Sequence, residues 1–169
     1  IIALLVVVII VFNLRASLVI SAVLPISVLL VFIAMKLFHV QANIVALSGI
    51  AIAIGTMIDL AIILSENVLK KLENTPKNTL LKNIYEGSAE VSSAILTAVL
   101  TTVISFVPVF MLEAAEGKLF IPLAYTKTFA LIAAFLVTVL ILPSLIYVLF
   151  KLKINKKKTS NLLNLLLVL

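Results

Sequence analysis

Apolar positions come in long runs separated by short polar links. Ile1 to Phe12 is apolar throughout and ends at the turn Asn13-Leu14-Arg15. A second run covers about residues 16–38 and a third about residues 44–69, with the polar link His39 to Asn43 between them. The polar segment Lys70 to Glu90 follows. Thr75-Pro76 breaks the helix there, because the residue before a proline is pushed out of the helical region. Asn78-Thr79 then offers a cap for a short helix. The fourth run covers about residues 91–112, Glu113 to Pro122 reads as a loop, and the fifth run covers about residues 123–150. The tail, residues 151–169, reads as a basic cytoplasmic linker that opens an amphipathic or further membrane-spanning helix. About 20 apolar residues cross the hydrocarbon core as a helix. The pattern therefore predicts an all-α, polytopic transmembrane helical bundle. Pro25, Pro108 and Pro143 lie inside runs, where a missing N–H frees a carbonyl and kinks the helix. The first run is short and the last stops midway, so the chain reads as an excerpt of a longer one.

Composition agrees with a lipid solvent. Of the 169 residues, 64% are hydrophobic and 12% charged, with mean hydropathy +1.35. A soluble domain of this size cannot hide that much apolar surface. The net charge of +6 raises the question of nucleic acid. No basic-aromatic patch or binding motif supports it, and the basic residues sit between apolar runs. One side of the alternating runs carries Arg15, Lys70, Lys71, Lys77, Lys82, Lys151, Lys153, Lys156, Lys157 and Lys158, against Lys36, Lys118 and Lys127 on the other. By the positive-inside rule the first set is cytoplasmic. Ile1 to Ile10 lacks the basic flank and cleavage site of a signal peptide. With no cysteine there is no disulfide, thiolate metal site or thiol nucleophile. No Walker loop, dinucleotide fingerprint or nucleophile elbow occurs, so neither an enzyme nor a resident cofactor is expected.

One residue breaks the third run. Asp59 lies midway along it, where a carboxylate costs roughly 2.5–3.5 kcal/mol on insertion scales. Such acids usually face a bundle interior, a cavity or a proton path; a buried structural Asp bonded to a neighbouring helix is the plainer alternative. Glu66 is seven residues on. Two helical turns place it on nearly the same face, about 10 Å away along the axis. It can be a second acid or simply a solvated helix end. Low dielectric disfavours the charged form of a carboxyl, and a group so poised loads and releases a proton as its surroundings change. Gly49 and Gly55 punctuate the same helix, and small residues let a neighbouring helix approach. His39 is a lone imidazole and makes no metal site. Met35, Met57 and Met111 are scattered. A thioether binds soft Cu(I) or Ag(I), and Met57 stands two residues from Asp59; taken alone, a lipid-facing or core-packing role accounts for it better than a ligand role.

Gly49-Ile-Ala-Ile-Ala-Ile-Gly55-Thr-Met-Ile-Asp59 followed by Ser65-Glu66-Asn67 resembles the fourth transmembrane helix of resistance-nodulation-division (RND) efflux pumps. Phe106-Val-Pro108 through Leu112-Glu113-Ala-Ala-Glu116-Gly117 to Phe120-Ile-Pro122-Leu-Ala124-Tyr-Thr126-Lys127-Thr128 resembles the heavy-metal efflux branch. Asn13-Leu14-Arg15-Ala16-Ser17 fits the family's link between helices two and three. The resemblance covers helices two through six and the start of a cytoplasmic amphipathic helix. It implies a homotrimeric inner-membrane antiporter of protons and metal cations, working with a periplasmic adaptor protein and an outer-membrane channel. It implies that Asp59 is the proton-relay acid and Glu66 a second acid of the metal branch. Divalent-metal members carry an additional Asp where this chain has Ala53, which resembles the monovalent copper/silver group. Methionines line a path in that group. Met57 matches one, whereas Val45, Leu64, Leu131 and Ile146 stand at others, so the metal stays open between Cu(I)/Ag(I) and other ions. Two other readings are an RND exporter of organic or drug substrates and a truncated structural membrane segment without transport of its own.

Overall fold

The computed structural model describes residues 14–73 and 79–151. The run Ile1 to Phe12, the Thr75-Pro76 break, Asn78 as a cap and residues 152–169 lie outside the described residues. Within them the chain is all helical, with four helices long and apolar enough to cross a membrane.

Helix α1 spans Leu14–Leu37 and carries Pro25. It ends where the Phe38 and Val40 amides donate to the Ala34 and Met35 carbonyls, both at 2.9 Å, and His39 turns the chain with φ 55°. Asn43 then caps α2, Ile44–Glu73, its Oδ1 accepting the Ala46 amide at 2.8 Å. A side-chain oxygen there satisfies one of the orphan N–H groups at the helix start. At 1.5 Å per residue, the 30 residues of α2 run about 45 Å, longer than the ~30 Å hydrocarbon core. Its end, with Lys70 and Lys71, therefore stands clear of the membrane interior.

Helix α3 spans Leu80–Ser105. The short helix expected after Thr79 and the fourth apolar run are thus one element, starting well before residue 91. Its polar first turns are held by partners instead of lipid. Asn67 on α2 donates to the Gly87 carbonyl at 2.7 Å, and Lys71 pairs with Glu90 at 3.2 Å. Thr79 takes the N-cap position without a side-chain cap bond. Above α3, Pro108 enters a 3-10 turn, Val107–Met111, because its missing N–H cannot continue the α ladder.

The loop expected at Glu113 to Pro122 is a correction. Helix α4 begins at Ala114 and runs through Pro122 to Leu136. A two-residue corner does the work of the loop. Ala114 adopts φ 54°, and the Gly117 amide donates to the Glu113 carbonyl at 3.2 Å. The Leu112 carbonyl fills the space where a Cβ on residue 117 would stand, so only glycine closes this corner. Further down, the helix widens into a π turn, Val137–Ile141. Pro143 has no N–H to return to the Val139 carbonyl, and the wider turn accommodates that gap. Helix then continues to Lys151.

The core lies among α1, α2 and α4, and α2 makes its broadest contact with α4. Ala46, Gly49, Ala53 and Ala61 line the packed side of α2, as close helix approach requires. A Cβ on Gly49 would collide with the Thr126 hydroxyl and stand 2.8 Å from the Leu123 carbonyl. Helix α3 is the least covered. Along it Ser88, Ser92, Thr97, Thr101, Thr102 and Ser105 each donate a hydroxyl to a carbonyl of their own helix at 2.6–3.0 Å.

Candidate functional site

In a helix that is apolar all round, composition cannot say which face is packed; the structure can. The buried stripe of α2 comprises Ala46, Gly49, Ile50, Ala53, Met57, Leu60, Ala61, Leu64, Ser65 and Val68. Asp59 lies outside it. With Ile52, Gly55, Ile63, Glu66 and Lys70 it forms the exposed side of the helix. Asp59 and Glu66 thus share one face, as their spacing predicts, and that face is uncovered by α1, α3 or α4. Among the described residues no cation pairs with Asp59. A Cβ on Gly55, one turn from the acid, would meet nothing within 4 Å. The two glycines therefore differ: Gly49 seats α4, and Gly55 leaves a smooth step beside the carboxylate.

Glu66 lies two turns nearer the basic end, where Lys70 pairs with it at 2.8 Å. Both side chains are more than half exposed, so the pair contributes little. One residue on from each of that pair, Asn67 and Lys71 reach across to Gly87 and Glu90 of α3. Asn67 is a contact that sequence reasoning passed over; its place one turn before Lys71, on the same side of α2, was the available signal. A Cβ on Gly87 would stand 3.0 Å from the Val68 Cα, so the helices nearly touch at this end.

Met57 points the other way. It is fully buried in the core, as are Ala53, Leu64, Leu131 and Ile146. These interior positions hold one thioether among hydrocarbon side chains. Met35 is also buried, while Met111 is 79% exposed at the far end of α3. No group of three His, Cys, Asp or Glu capable of holding a metal occurs among the described residues.

The opposite end of the bundle carries rings. Phe38 meets Phe129 at 5.1 Å, Tyr125 meets Phe110 at 4.8 Å, and the Lys127 ammonium sits 4.7 Å over Phe106. Among these rings only Tyr125 carries the polar tip that favours a membrane–water interface. Between these rings and the basic end, the apolar bundle with one acid on an open face defines a class: a multi-pass helical membrane segment.

Comparison with known proteins sharpens that class to a family. Residues 1–167 match the model of the AcrB/AcrD/AcrF family, and the chain belongs to it. It is 37% identical over 142 residues to cation efflux system protein CusA of Escherichia coli K12, covering 79% of this chain and 14% of that protein. Putative cation efflux system protein SilA of Salmonella typhimurium is 36% identical over 165 residues, 92% of this chain and 16% of the relative. Nickel and cobalt resistance protein CnrA of Cupriavidus metallidurans is 31% identical over 150 residues, 84% of this chain and 14% of the relative. The chain thus spans about a seventh of the length of these relatives. The family is the RND efflux family, the relatives just given are named as cation-efflux and metal-resistance proteins, and the segment is a multi-pass part of an inner-membrane protein.

Proposed function

We propose that this chain is the proton-relay part of an RND exporter of heavy-metal cations, with Asp59 as the relay carboxylate. The observation that carries this reading is the placement of Asp59. An acid at mid-helix depth that faced lipid permanently would cost roughly 2.5–3.5 kcal/mol. The four described helices leave it open, beside a glycine that admits a close neighbour. In the complete protein another helix covers the stripe and supplies the cation or hydroxyl partner. Proton binding at Asp59 then decides whether that ion pair forms, and the pair's making and breaking drives the bundle between two arrangements. Glu66 extends the same face toward the cytoplasmic end and serves as the second acid, passing protons between Asp59 and bulk water.

The cargo belongs to the same proposal. Ala53 is buried where divalent-metal members carry an acid, so a soft monovalent cation such as Cu(I) or Ag(I) is the substrate class. Met57 is its candidate thioether ligand inside the bundle. The working unit is a homotrimer with a periplasmic adaptor protein and an outer-membrane channel.

The test uses the complete transporter reconstituted in vesicles with an imposed proton gradient. Asp59→Asn preserves size but cannot ionise. Export is expected to fall to background while trimer assembly is unchanged. Normal export by that variant would defeat the assignment.

A further inference from the structure

A groove of about 760 Å³ opens between α3 and the lower half of α4. Its volume lies within the ~300–1,000 Å³ range of small-molecule sites. Small residues of α3, Ala89 and Ser92, line it together with Leu140 and Pro143 at and just after the π turn. Its walls are apolar in effect. The Ser88 and Ser92 hydroxyls donate to the Ile84 and Ser88 carbonyls at 2.7 and 2.6 Å and offer no free donor.

The groove follows α3 from Leu81 to Ser93. Twelve residue steps at ~1.5 Å give about 18 Å, just over half of the ~30 Å hydrocarbon core and therefore about one leaflet. Tyr85 and Tyr147 line its basic end. The Lys151 ammonium sits 5.3 Å over the Tyr147 ring. Lys82, next in the chain to the lining residue Leu81, is 3.7 Å from Glu86 in an exposed pair that is easily exchanged. Tyrosines and lysines at headgroup depth above an apolar slot one leaflet deep are complementary to an anionic lipid.

We propose that this groove binds an anionic phospholipid of the cytoplasmic leaflet. One acyl chain lies between Ala89 and Leu140, and the phosphate rests between Lys82 and Lys151. The inference rests on the orientation given by the basic segments, and it is independent of the proton relay.

The test takes the complete transporter in nanodiscs with a phosphatidylglycerol carrying a photoreactive group at mid-chain. Cross-links are mapped by peptide mass spectrometry. Labelling is expected on residues 81–93 and 139–148. Unlabelled phosphatidylglycerol should compete better than phosphatidylcholine, and Lys82→Gln and Lys151→Gln should each weaken that competition about fivefold. Ala89→Phe, which fills the slot from an exposed position, should remove the label. Equal competition by the two lipids, indifferent to both lysines, would reduce the site to ordinary boundary lipid and overturn the proposal. So would an absence of label in these segments, or label that emerges only when residues 152–169 are deleted, since the chain's own tail would then be the occupant.

Discussion

Replacing Gly49 by alanine tests the packing that fixes where Asp59 points. The added methyl would collide with the Thr126 hydroxyl and stand 2.8 Å from the Leu123 carbonyl. Neither atom yields easily. Thr126 is fully buried, its hydroxyl donates to the Pro122 and Leu123 carbonyls at 3.0 and 3.1 Å, and Leu123 presents backbone. Overpacking a tight site costs about 1–3 kcal/mol, and two such contacts argue for the upper end. Alanine recovers up to about 1 kcal/mol over glycine in a helix. The expected net loss is about 2 kcal/mol, or roughly thirtyfold in the folding equilibrium constant. Denaturant titration of the complete transporter in mixed micelles, followed by tryptic protection of the α2–α4 region, measures it. Adding Thr126→Ala should restore only part, since the Leu123 carbonyl remains. A Gly49→Ala protein as stable as the parent would refute the close approach, and with it the orientation of the acidic stripe.

Other expected outcomes are local. Asn67→Ala removes the 2.7 Å bond to the Gly87 carbonyl and should cost about 0.5–1.5 kcal/mol in the same titration, more than Lys71→Gln at the exposed Glu90 pair. Gly117→Ala places a methyl on the Leu112 carbonyl and should open the corner before α4, seen as faster proteolysis between residues 111 and 118. Met57→Leu conserves volume in a fully buried site and should cost less than about 1.5 kcal/mol. If Met57 ligates the cargo, resistance to silver must nevertheless fall sharply; unchanged resistance would remove it from the transport path.

The helical class, and the four runs that fall among the described residues, could be read from hydrophobic run length alone, because lipid demands about 20 apolar residues per crossing. Their ends could not. Charges at Lys82, Glu86 and Glu90 interrupt an apolar pattern without interrupting a helix, so α3 starts at Leu80. Glu113, Glu116 and Lys118 hide the start of α4 in the same way, and a proline inside that helix strengthens the wrong reading. For the site, spacing alone put Asp59 and Glu66 on one face. Which face is open follows from three-dimensional packing. The small residues Ala46, Gly49, Ala53 and Ala61 were the legible trace of it, since they mark the contact side and leave the acid opposite. Met57 is the converse case. Two residues from Asp59 in sequence, it is on the far side of the helix, and adjacency in the chain said nothing about adjacency in space.

The hydroxyl ladder of α3 bears on what that helix can do. Each serine or threonine bonded to its own turn holds a donor that can rotate outward when a neighbouring carbonyl or water presents itself, and rotate back when it leaves. The number of bonds is conserved in either state. A surface of this kind has no fixed partner written into it. A helix moving along it in small steps meets the next hydroxyl each time, with no donor stranded in hydrocarbon between stops. On the proposed reading of a bundle that alternates between two shapes, the hydroxyl ladder makes the upper part of α3 a track, while Asn67 and Lys71 hold its first turns to α2 as the clamp.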